Sequence, residues 1–230
     1  MHTAVLAASH GTSSIAGRTA VRMLVERVAT SLDIPVIGCH VDVEQPDVDT
    51  ALAGIADNAE RAVIVPLLLS AGYHVYVDLA ESAERAPLPA TVAAALGPDD
   101  RLVAVLARRL REAGYARGTS VVLGAAGSSD ERAVADCRRT AGMLADELGI
   151  PVEAGFISAA QPPLAEAVSS ARRRNPGAPV AIATYLLAPG YFADLTHQAG
   201  ADLVSEPLLT PRSTPQELVG IVLDRAAVLV

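Results

Sequence analysis

The sequence predicts an α/β protein of two similar domains, each a parallel sheet flanked by helices, the two related by internal duplication. Three observations predict it. Short apolar runs of strand length alternate with longer segments whose apolar residues recur every three or four positions, the pattern of parallel strands joined by helical crossovers. Motifs also recur at a constant offset of 116: Gly11 with Gly127, Ile34-Pro35-Val36 with Ile150-Pro151-Val152, and Gln45-Pro46 with Gln161-Pro162. The offset becomes 118 at Gly72-Tyr73 and Gly190-Tyr191, after a two-residue insertion around Asn175-Pro176-Gly177. A period of that size marks a duplicated domain rather than a solenoid unit. The expected domains are residues 1–116 and 117–230. Finally, apolar residues make up 51% of the 230, mostly Ala, Val and Leu, with no Trp and only Phe156 and Phe192 as phenylalanines. Small aliphatic side chains suit helices lying close on parallel strands.

The elements follow in order. Ala4-Val5-Leu6-Ala7-Ala8 is a buried strand that breaks into the polar turn Ser9-His10-Gly11-Thr12-Ser13-Ser14. Over 17–31, Ala20, Val21, Leu24, Val25 and Val28 make a helical stripe opposite Arg18, Arg22, Glu26 and Arg27. Pro35 opens an extended run over 36–41, and Pro46 leads into a helix over 47–59. A buried strand is expected over 62–69, its terminal loop at 70–74, a helix over 75–85, a strand over 91–96 and a helix over 101–113. The pattern restarts with Ser120-Val121-Val122-Leu123-Gly124-Ala125-Ala126-Gly127-Ser128-Ser129, which mirrors the opening strand and turn. Residues 207–215 are a Pro-rich loop before the last helix.

Composition narrows the function. A formal net charge of −8 and a pI near 5.1 argue against nucleic acid as the main partner. Cys39 and Cys137 make no disulfide framework and read as small buried hydrophobes. No charged-then-apolar leader opens the chain, and the apolar runs fall far short of the roughly 20 residues of a spanning helix. A soluble cytoplasmic protein is the expectation. GxGxxG after a strand, GxxxxGK[ST], HExxH and GxSxG are all absent, so nucleotide binding, zincin chemistry and a nucleophile elbow have no support.

The repeat acts as an internal control. His10 ends the first strand and His74 follows the third; their counterparts are Ala126 and Phe192. The Gly and Ser turn residues recur while both imidazoles are lost, which assigns turn chemistry to both halves and imidazole chemistry to one. In an open parallel sheet, ligands bind beyond the carboxyl ends of the strands, so His10 and His74 can converge on one ligand. Asp42 and Glu44 lie just past the second strand, where the other half has Ser158 and Ala160. A carboxylate there adds a metal ligand or orients an imidazole. His40 matches Phe156 and reads as a core position, His197 as a surface residue, and His2 as a residue ahead of the first strand. The Gly-Tyr pairs at 72–73 and 190–191 read as loop and packing features.

Ser9-His10-Gly11-Thr12, an acidic residue before Gln45-Pro46, Pro66-Leu67-Leu68-Leu69-Ser70-Ala71-Gly72-Tyr73-His74-Val75 and Leu96-Gly97-Pro98-Asp99-Asp100-Arg101-Leu102 together resemble the sirohydrochlorin cobaltochelatases and ferrochelatases. These are class II tetrapyrrole chelatases, and the chain is similar to their long form with two chelatase-like domains. The resemblance spans essentially the whole chain. It implies insertion of a divalent metal (Co²⁺, Fe²⁺ or Ni²⁺) into a tetrapyrrole, in cobalamin or sirohaem biosynthesis. It implies no permanently bound cofactor, because the metal is a substrate. His10 and His74 are the implied catalytic and metal residues, in a cleft between the halves, and Asp42 stands where the family often has Glu. Ser9, Gly11, Thr12, Ser13, Gly72, Tyr73, Ser128 and Ser129 are the candidate substrate contacts, with Arg18 a candidate partner for substrate carboxylates. The duplication replaces a homodimer of single-domain members, so a monomer is expected. Competing readings are a non-enzymatic metal or tetrapyrrole carrier, a nickel or protohaem-type chelatase, and a periplasmic-type binding protein, which the missing leader disfavours.

Overall fold

The structure is a computed structural model that describes residues 2–70, 72 and 77–228. The first repeat runs β1 (Thr3–Ser9), α1 (Ile15–Ala29), β2 (Val36–His40), α2 (Val48–Ile55), β3 (Arg61–Pro66), α3 (Leu79–Arg85), β4 (Ala90–Val92) and α4 (Asp100–Glu112). The second runs β5 (Ser120–Ala125), α5 (Glu131–Leu148), β6 (Val152–Phe156), α6 (Leu164–Arg174), β7 (Val180–Tyr185), α7 (Tyr191–Thr196), β8 (Leu203–Val204) and α8 (Gln216–Ala227). The two sheets are wholly parallel and share one topology, β2-β1-β3-β4 and β6-β5-β7-β8.

Burial explains why the strands read so clearly. All seven residues of β1 are buried, since it has a strand on each side and a helix layer on each face. Leu6, Ala8, Cys39 and Ile64 face α2 and α3, with Leu52 and Leu79 closing that core. The alternate residues Val5, Ala7, Val63 and Val65 are fully buried on the other face. There α1 contributes the stripe Ala20, Leu24 and Val28. Helix starts follow their caps. Ser14 accepts from the Gly17 N–H, so α1 begins at Ile15 rather than at 17. Asp47 accepts from the Thr50 N–H ahead of α2, and Asp99 from the Arg101 N–H ahead of α4. Cys39 and Cys137 are buried and neither is in a disulfide. Desolvation, with the Asp47 charge second, pushes the Cys39 thiol up to about 12, which leaves it unreactive at neutral pH.

The strand expected over 91–96 is shorter. Its ladder with β3 stops at Ile64↔Val92, and the chain then continues irregularly with the Leu96 N–H donating to the Leu68 carbonyl. The helix expected over 75–85 is described as α3 from Leu79, residues 75 and 76 lying outside the described set.

The compact units do not coincide with residues 1–116 and 117–230. One unit is Met1–Leu96 with Pro211–Val230, and the other is Gly97–Thr210. Each repeat's last helix therefore belongs to the other repeat's sheet. In the first unit α8 lies against α1 and β3, and Arg27 Nη1 donates to the Thr214 carbonyl at 2.7 Å. In the second, α4 lies against α5 and β7. Arg109 on α4 donates to the Leu208 carbonyl at 3.0 Å. Its repeat counterpart Arg225 on α8 donates to the Ala95 carbonyl at 2.9 Å. A helix stripe shows that a sheet will be covered but not which sheet, so the exchange was invisible in the sequence.

The exchange has a measurable consequence. A chain ending at residue 116 lacks Leu218, Val219, Ile221 and Val222, each at most 1% exposed. Burial of one such side chain stabilises by about 1.5–3 kcal/mol, so four together match the whole stability of a typical domain, about 5–15 kcal/mol. Residues 1–116 alone are expected to show no cooperative thermal transition by circular dichroism. Adding 211–230 through a flexible linker is expected to restore one.

Candidate functional site

Strand order 2-1-3-4 reverses direction between β1 and β3, so the crevice at the switch point opens beyond the carboxyl ends of those two strands. His10 is the first residue past β1 and is exposed. His74 and Tyr73, which follow β3, lie outside the described residues. Gly72 is half-buried and its N–H donates to the Ser70 carbonyl.

The parallel pairing of β1 with β2 runs on past the strand ends. The Val41 N–H donates to the Ser9 carbonyl at 2.8 Å and the Asp42 N–H to the His10 carbonyl at 3.0 Å. This fixes the backbone at His10 and brings Asp42 beside it. Gly11 has φ +92°, and a Cβ there would fall on the Asp42 carbonyl oxygen. Val43 has φ 64° and the Glu44 N–H closes the turn onto the Asp42 carbonyl at 2.7 Å. A β-branched residue in the left-handed region is a true outlier, and such strain concentrates at functional loops. The second unit repeats this backbone: Gly127 has φ +91°, Ala159 φ 54°, and the Ser158 N–H donates to the Ala126 carbonyl at 2.9 Å.

Side chains differ between the two copies. Glu44 Oε1 accepts from the Thr12 N–H at 2.7 Å, and Glu44 Oε2 pairs with Arg18 Nε at 3.0 Å. Arg18 Nε also donates to the Thr12 carbonyl at 2.9 Å. His40 Nδ1 shares a 2.8 Å hydrogen bond with Ser9 Oγ and lies 3.9 Å from Glu44 Oε1.

Several expectations change as a result. His40 is not a core residue: its side chain is 17% exposed and polar-bonded, where Phe156 is 1% exposed. Ser9 is buried with its hydroxyl engaged by His40. Thr12 has its N–H, carbonyl and hydroxyl committed to Glu44, Arg18 and the Ser14 N–H within the loop. Arg18 is the ion-pair partner of Glu44. Both Glu44 oxygens are engaged, whereas Asp42 is exposed, one oxygen accepting from the Val43 N–H at 2.7 Å. Among the described residues no group of three His, Cys, Asp or Glu is placed to hold a metal ion. Ser13 and Ser129 are exposed, while the Ser128 hydroxyl accepts from the Asp130 N–H. His197 is exposed at the end of α7, as expected.

Tyr191 is not a packing residue. It is 70% exposed and Phe192 is 40% exposed, their rings edge to face at 5.9 Å. The other large exposed apolar side chains among the described residues are Ile15 at 81%, Val43 at 56% and Val228 at the end of α8. Ile15, the first residue of α1, and Val43, in the loop after β2, lie on either side of the His10 loop in the first unit, and Tyr191 and Phe192 open α7 after β7 in the second.

The CbiX family model matches residues 4–113 and again 120–206, one match in each repeat. A sirohydrochlorin ferrochelatase of Priestia megaterium is 29% identical over 182 residues, covering 75% of this chain and 68% of its own. SirB from Bacillus subtilis with Fe³⁺ superposes with a TM-score of 0.83 at 21% identity, covering 99% of this chain and 95% of that one. SirB from Bacillus subtilis subspecies spizizenii in complex with cobalt gives 0.79 at 19% identity, covering 99% and 94%. No helix among the described residues is long and apolar enough to cross a membrane. With both repeats matched, the chain belongs to the CbiX family of chelatases.

Proposed function

We propose that the protein inserts a divalent metal, Co²⁺ or Fe²⁺, into sirohydrochlorin, acting as a single chain. The observation that carries this reading is His10: an exposed imidazole at the switch point, flanked by exposed Ile15 and Val43, where the duplicated loop has alanine. The named activity of the Priestia megaterium relative and the iron and cobalt held by the Bacillus structures support it.

The chemistry asks three things of the chain. Two pyrrole N–H protons must leave as the metal enters, the metal must be stripped of water, and the macrocycle must present its nitrogen lone pairs. Imidazole binds Co²⁺ and Fe²⁺, and its ordinary pKa of about 6.5 lets it accept a proton near neutrality. His10 and His74 serve these two roles, with the exposed Asp42 carboxylate beside the His10 backbone as a third ligand. Ile15 and Val43 offer an apolar seat on which the ring sheds water and bends toward the metal. Ser13 and Ser129 remain candidates for the substrate's carboxylates.

The test is a spectrophotometric insertion assay with sirohydrochlorin and Co²⁺, Fe²⁺ or Ni²⁺ in turn. Insertion faster than the spontaneous reaction is expected with Co²⁺ or Fe²⁺. No acceleration with any metal, together with stoichiometric tetrapyrrole binding, would replace the enzyme with a carrier.

A further inference from the structure

We propose that Ser9, Arg18, His40 and Glu44 form a clamp that positions the His10 loop for metal handling, an inference that rests on the role of His10 proposed above. The clamp grips the loop on both sides of His10. Ser9, just before it, is held through its hydroxyl by His40. Thr12, two residues after it, is held through its N–H by Glu44 and through its carbonyl by Arg18. The Asp42 N–H holds His10 itself through its carbonyl. Residues from β1, α1, β2 and the loop after β2 are thus tied to one short segment whose His10 remains exposed.

The fold does not require this clamp. The counterparts of Ser9, Arg18, His40 and Glu44 are Ala125, Val134, Phe156 and Ala160. All four polar positions become apolar together, yet the second loop keeps its positive-φ glycine, its left-handed residue at 159 and its ladder from Ser158 to Ala126. The copy without imidazole is the copy without the clamp. A carboxylate only 13% exposed carries a desolvation cost that partners must offset. That expense fits a demand for fixed geometry, because a small misplacement of a reacting group lowers rate steeply. Glu44, Arg18, His40 and Ser9 are therefore positioning residues that act through His10.

The experiment compares wild-type protein with E44A and H40F, which install the residues of the second repeat, and with E44Q, which keeps an oxygen acceptor for the Thr12 N–H. Two readouts are taken alongside the melting temperature: hydrogen exchange at the Thr12 amide, and kcat and KM for metal in the insertion assay. For E44A, Thr12 exchange is expected to rise at least about tenfold and kcat to fall at least about tenfold, with metal KM and melting temperature little changed. H40F is expected to lower kcat without exposing the Thr12 amide, and E44Q to stay within about threefold of wild type in both readouts. Wild-type exchange and kcat in E44A overturn the proposal. A loss in E44Q as deep as in E44A, with metal KM raised in both, also overturns it, because the Glu44 carboxylate then acts on the metal rather than on the loop. Wild-type protein that inserts no metal refutes the proposed function and leaves Thr12 exchange alone to judge the clamp.

Discussion

His10→Ala is expected to abolish most metal insertion while leaving the fold intact. The stability half of this rests on the second repeat. Position 126 is alanine in the same turn, preceded by the same strand and followed by a glycine of nearly the same φ. The backbone bond that anchors His10, from the Asp42 N–H to its carbonyl, does not involve the side chain and has its copy at Ser158 and Ala126. A surface substitution of this kind usually changes stability by no more than about 0.5 kcal/mol. The activity half rests on chemistry. A positioned imidazole that takes a proton in the reaction contributes about 10²–10⁴-fold, so kcat for insertion is expected to fall by that range. The melting temperature is expected to shift by no more than about 2 °C. His74→Ala is the companion measurement. Unchanged rates in both variants would remove the imidazoles from the site. Loss of rate in His10→Ala accompanied by a large drop in melting temperature would mean that His10 is structural.

Much of this molecule is legible in its sequence. β1 and β5 are buried on both faces, so they appear as unbroken apolar runs, and the equal offsets of Gly11, Pro35 and Pro46 exposed the duplication. His10 was legible because duplication removed an imidazole and kept its turn. What escaped were relations between elements. The exchange of α4 and α8 escaped because an amphipathic stripe names no partner. The pairing of Glu44 with Arg18 and Thr12 escaped because it joins the end of one strand to the helix after another. His40 was misread by analogy with Phe156, although the two occupy the same register, opposite Ser9 and Ala125 respectively. The repeat already sets His40 against Phe156 and Glu44 against Ala160, and the same offset sets Ser9 against Ala125 and Arg18 against Val134. Tyr191 was misread for a different reason: a Gly-Tyr pair shared by both halves looks like packing until its exposure is known.

Gly11→Ala is the substitution expected to cost the most stability, and its pairing with Gly127→Ala separates scaffold from function. At φ +92° an alanine occupies a region that L residues avoid, at a cost of about 1–2 kcal/mol. Its Cβ would also meet the Asp42 carbonyl, a backbone atom that cannot swing aside. That carbonyl is held in place because the Asp42 N–H donates to His10 and the Glu44 N–H closes the turn onto the same oxygen. Relief of the clash therefore means breaking the Asp42–Glu44 turn, for a total of about 3–5 kcal/mol. At about 2–4 °C per kcal/mol for a chain of this size, the melting temperature should fall by roughly 10 °C. Gly127 has the same conformation, and its Cβ would meet the Ser158 carbonyl in the same way, so Gly127→Ala should destabilise to a similar degree. The two should differ in what survives below the transition. Gly127→Ala leaves the loop that carries His10 untouched, and its folded fraction is expected to keep a kcat within about threefold of wild type. Gly11→Ala displaces Asp42 and the carboxylate grip of Glu44 along with the turn, and its folded fraction should be inactive. Calorimetry paired with insertion assays at low temperature distinguishes the two. Equal residual activity in both variants would show that the His10 loop tolerates displacement and that its geometry is not what the chemistry depends on.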